Sequence, residues 1–72
     1  MKVIALTPGT MGLCGLTVRV VGVQNVYPTG WGTPVYFMTE KMSSDDVEAA
    51  VSLIKEEAIK FGVKITASEQ EL

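Results

Sequence analysis

The amino-acid sequence predicts a small α+β domain of two layers: one helix packed on one face of a mostly antiparallel sheet of about four strands, in the order β-β-β-α-β. Three observations carry this expectation. Short apolar and β-branched runs recur between glycine- and proline-rich punctuation. One long segment has helical spacing with both of its ends marked. A chain of 72 residues leaves room for one hydrophobic core.

The first strand is the apolar run Lys2 to Thr7, which stops at the turn signal Pro8-Gly9. Pro8 to Gly15 holds Gly9, Gly12 and Gly15 and reads as a flexible connection between strands, because glycine weakens a helix. Leu16 to Val23 is rich in β-branched residues and predicts a second strand. Leu16, Val18 and Val20 would share one of its faces and Thr17, Arg19 and Val21 the other, with Gly22 at a bulge or a close approach. Gln24 to Pro34 is a loop in which Pro28, Gly30 and Gly32 are interleaved with Val26, Tyr27 and Trp31. Pro34 then opens a third strand, with Val35, Phe37 and Thr39 on one face and Tyr36, Met38 and Glu40 on the other.

The helix is the most fully specified element. Ser43, three residues before Asp46, or Ser44 supplies an N-cap, and Asp45, Asp46 and Glu48 put negative charge where the helix dipole favours it. Val47, Ala50, Val51, Ile54, Ala58 and Phe61 follow the three-and-four spacing of one buried stripe, and Gly62 supplies a left-handed C-cap. Val63, Ile65 and Ala67 alternate with Lys64 and Thr66 as a last strand. The expected organisation is therefore one domain over residues 1–67, followed by a polar, frayed tail from Ser68 to Leu72.

Composition bears on function mainly by exclusion. Hydrophobic residues make up 47% of the chain and charged residues only 19%, which is more apolar surface than one small core absorbs. A single helix cannot cover both faces of a sheet. Some of Ile4, Leu6, Val21, Val23, Tyr36 and Met38 should then be exposed in a monomer and buried by a second copy or by another protein. One cysteine rules out an intrachain disulfide, and the absence of histidine removes the common zinc patterns and every Ser-His-Asp or Cys-His arrangement. No metal or cofactor is expected. The formal charge is −2, and Lys2, Arg19, Lys41, Lys55, Lys60 and Lys64 form no run, which argues against nucleic acid and anionic membrane as partners. No apolar stretch approaches the ~20 residues of a membrane span, and the start of the chain lacks the pattern of a secretory signal, so a cytoplasmic protein is expected.

Two constellations stand out as candidate sites. Tyr27, Trp31 and Tyr36, with Met38, are the residue types that anchor protein interfaces; for Trp31 a plug at one end of the core is the first reading, an interface anchor the second, and a platform for a ligand or nucleic acid the third. Gly9, Gly12, Cys14, Gly15 and Arg19 form a candidate ligand loop after the first strand, but phosphate-cradling loops feed a helix, and this one is expected to feed a strand. Cys14 has no histidine to activate it and reads as a small buried or half-buried thiol. Glu56 and Glu57 project about 100° apart on the helix and cannot share a proton as a catalytic pair. The reading that follows is a small non-enzymatic interaction or assembly module, acting as a homo-oligomer or as a subunit of a larger complex. Its alternative is a small-ligand binder or enzyme whose site lies at a subunit interface, built from the Gly9–Gly15 and Tyr27–Trp31 loops. Single-stranded nucleic-acid binding through Tyr27, Trp31 and Tyr36 is a third reading that the acidic balance opposes.

Overall fold

A computed structural model of the chain describes residues 1–27 and 32–72. In chain order these form β1 (Lys2–Thr7), α1 (Met11–Val21), a 3-10 turn (Val23–Asn25), β2 (Val26–Tyr27), β3 (Val35–Met38), α2 (Ser44–Lys60) and β4 (Thr66–Glu71). The sheet runs β2-β3-β1-β4 and every neighbouring pair is antiparallel. The predicted α+β class and four-stranded antiparallel sheet are what the structure shows. The connectivity β-α-β-β-α-β is a pair of interleaved split βαβ units, with β3 lying between β1 and β2 and β1 lying between β3 and β4.

The main correction concerns Leu16 to Val23, which belongs to a helix for most of its length. Leu13, Leu16, Thr17, Val20 and Val21 carry the i, i+3, i+4, i+7, i+8 spacing of one helical face; Leu13, Leu16 and Thr17 are buried, and Val20 and Val21 pack against the core. Burying that stripe outweighs the poor helix propensity of the β-branched residues and of Gly12 and Gly15. The Thr10 hydroxyl caps the helix, accepting from the Leu13 amide at 3.1 Å, and buried Thr17 satisfies its hydroxyl on the Leu13 carbonyl at 2.8 Å. Gly22 ends the helix at φ +90°, donating its amide to Val18 O, so it is a helix terminator and not a strand bulge. Of the glycines in the expected loop, only Gly9 lies outside α1; Gly12, Cys14 and Gly15 are helical.

The helix predicted from Ser43 onward is α2. The Ser43 hydroxyl accepts from the Asp46 amide at 3.1 Å. At the far end Val63 N donates to Ala58 O and Gly62 N to Ile59 O, with Gly62 at φ +77°, which is the Schellman arrangement. Ala50, Ile54 and Ala58 are buried as expected, whereas Phe61 is 77% exposed because the chain turns away at this cap before the ring reaches the core.

Ile4 and Leu6 on β1 and Val35 and Phe37 on β3 meet the buried stripes of both helices in one cluster. Both helices therefore lie on the same face of the sheet, and Ile4 and Leu6 are inward residues, not part of an exposed patch. The chain's end is corrected too. Ser68 to Glu71 is paired strand in register with Lys2 to Ala5, and Leu72 N donates to Met1 O, so the expected frayed tail is an edge strand of the sheet. Its acidic and polar residues suit such an edge, which needs no continuous apolar run.

Candidate functional site: the bare sheet face and the helix groove

Strand alternation sorts the sheet residues cleanly. Opposite the helices lie Val3 and Ala5 of β1, Tyr36 and Met38 of β3, Tyr27 of β2, and Ser68 and Gln70 of β4. Tyr27 stands directly across from Tyr36, and Ala5 is flanked by Tyr36 on one side and Ser68 on the other. Val3 is likewise flanked by Met38 and Gln70. These flanking side chains screen the central strand, so Val3 and Ala5 are buried although no helix covers them. Tyr27 is 43% exposed and Tyr36 and Met38 are half-buried. Among the described residues no element covers this face, and every strand side chain on it is uncharged. The strand charges Lys2, Glu69 and Glu71 all alternate to the helix side.

Three of the four predicted interaction residues, Tyr27, Tyr36 and Met38, thus share one surface, through the pairing of β2 with β3. Trp31 lies outside the described residues, as do Pro28, Thr29 and Gly30.

The predicted ligand residues are divided. Gly9 packs on the chain just beyond the aromatic loop: a Cβ there would lie 1.8 Å from Thr33 O, so only glycine fits. Gly12 and Arg19, seven residues apart on α1, line a cavity of about 270 Å³ between α1 and the C-terminal end of α2. Cys14 and Gly15 do not line it; Cys14 is exposed, contrary to the expectation of a buried or half-buried thiol, because the buried stripe passes through Leu13 and Leu16. Apart from Thr10, the rest of this lining is apolar and includes Ala58, Phe61, Val63 and Ile65, which no functional motif marked.

A larger and shallower cavity, about 740 Å³, lies at the other end beneath the start of α2. Its mouth is acidic, with Glu40, Glu48, Glu69 and Glu71 beside Lys2. Part of that charge is already engaged: Glu71 accepts from the N-terminal ammonium at 3.0 Å and Glu40 from the Lys2 amide at 3.0 Å. Among the described residues no group of three His, Cys, Asp or Glu side chains is placed to hold a metal ion. No helix among them is long and apolar enough to cross a membrane.

The fold and these surfaces define a small α+β protein with its helices on one side of the sheet and an uncharged, aromatic-bearing face on the other. Comparison of the chain with protein-family models, with curated proteins and with solved structures found no match.

Proposed function

We propose that this chain is a small, non-enzymatic interaction or assembly module of the cytoplasm that acts as a homo-oligomer, or as a subunit of a larger complex, through the bare face of its sheet. The observation that supports this reading is the Tyr27–Tyr36 cross-strand pair next to Met38 on a face whose described strand side chains are uncharged. Aromatic and methionine side chains are enriched at interface cores and charged ones depleted there, so the composition of this face suits a protein partner. The same lack of charge disfavours a nucleic-acid strand, whose phosphates require basic residues beside the stacking rings. A domain of this size also has a limited core of its own, and oligomerisation is a common reinforcement.

Native mass spectrometry over a concentration series tests the proposal. Association that rises with concentration, and that Tyr36→Glu weakens while the monomer stays folded, is expected; a monomer at all concentrations argues for a different protein as partner, and unchanged association in the variant moves the interface elsewhere. A second reading, a ligand site at a subunit interface, draws on the packing of Gly9 against Thr33, which sets the start of the glycine segment beside the end of the aromatic loop. A small mass retained in the native spectrum and lost on denaturation would favour that reading.

A further inference from the structure

We propose that the groove between α1 and the C-terminal end of α2 binds a small amphipathic carboxylate, its apolar body between Leu13, Leu16, Ala58 and Ile65 and its carboxylate on Arg19. These four residues are buried or nearly so and offer hydrocarbon walls, while Arg19 supplies the one charge on the cavity lining. Among the described residues Arg19 makes no ion pair or hydrogen bond, although the chain carries eight acidic residues to six basic ones. An unpaired guanidinium presents a planar fork of donors that matches a carboxylate in a bidentate pair. The larger cavity at the start of α2 is rimmed by glutamates, whereas the lining of this groove carries Arg19 and no acidic residue, which suits an anion.

Size narrows the ligand. A volume of about 270 Å³ falls just below the ~300–1,000 Å³ typical of pockets for drug-sized molecules and suits one ring or a short chain. Gly12 keeps the α1 wall open. Its φ is not positive, and a Cβ there would meet only the Thr10 hydroxyl, at 3.9 Å, so the fold itself does not require glycine at this position. A larger side chain can therefore occupy the groove without straining the backbone. The site is on the helix layer, across the sheet from the proposed interaction face, and stands or falls independently of it.

The test is a methyl-detected NMR titration with 3-phenylpropionate and, as its uncharged counterpart, 3-phenylpropan-1-ol. Saturable shifts are expected at Leu13, Leu16, Val63 and Ile65 with the acid. Arg19→Gln should weaken the acid about tenfold, the scale of a lost charged hydrogen bond, and leave the alcohol unaffected. Gly12→Leu should block both while the Val3 and Met38 methyls keep their positions. Absence of saturable shifts in the parent protein, shifts confined to Val3 and Met38, or equal affinity of Arg19→Gln for the acid would each overturn the proposal.

Discussion

Gly9 and Thr33 touch backbone to backbone: the position of a Cβ on Gly9 is 1.8 Å from the Thr33 carbonyl oxygen and 2.8 Å from its carbonyl carbon. This contact ties the β1–α1 turn to the segment that leads into β3, and so fixes where α1 begins relative to the sheet. It also separates Gly9 from the other two glycines of the same segment, which lie within α1.

Gly9→Ala is expected to destabilise the protein by about 1–3 kcal/mol, the scale of overpacking against atoms that cannot swing aside. Chemical denaturation of parent and variant checks this. A variant of unchanged midpoint would mean that the Thr33 segment yields freely.

Gly15→Ala should act in the opposite direction. Nothing lies within 4 Å of a Cβ at Gly15, and alanine is favoured over glycine inside a helix by about 1 kcal/mol, so a rise in melting temperature is expected.

Ile54 is fully buried in the cluster shared by both helices and the sheet. Ile54→Ala should cost about 2–5 kcal/mol through lost burial and the cavity left behind. In so small a protein that is a large part of the total stability, and the expected readout is a cooperative transition moved to much lower denaturant, or a chain unfolded at 25 °C.

Truncation after Ala67 removes the residues that pair with Lys2, Val3, Ile4 and Ala5. Hydrogen exchange in β1 should accelerate strongly in the shortened chain, because the central strand becomes an edge and the face of Val3 and Ala5 loses Ser68 and Gln70. A polar tail outside the sheet would predict no change in those amides.

Replacing Ser43 by Ala removes the oxygen that accepts from the Asp46 amide, and a loss of about 1 kcal/mol is expected from the measured worth of such caps. Thermal unfolding of this variant beside Thr10→Ala compares the caps of α2 and α1. Both should be destabilised, since each cap accepts an otherwise unpaired amide in the first turn.

The sequence by itself determined α2, because its stripe of Ala50, Ile54 and Ala58, its Ser43 cap and its Gly62 terminator all give the same answer. It also determined β1 and the alternation of β3, where Phe37 turns inward and Tyr36 outward. Only the tertiary structure decided α1. Val18, Val20 and Val21 favour a strand locally, and Gly12 and Gly15 disfavour a helix, but Leu13, Leu16 and Thr17 can be buried against α2 and the sheet only if the segment is helical. The tertiary structure alone also decided β4, whose residues Ser68 to Glu71 have no apolar pattern and are held by backbone pairing to β1. The candidate surfaces divide in the same way. Tyr36 and Met38 were legible as one face of a strand, whereas the meeting of Arg19 with Ala58 and Ile65 depends on packing between elements about 40 residues apart, a relationship that local periodicity does not encode.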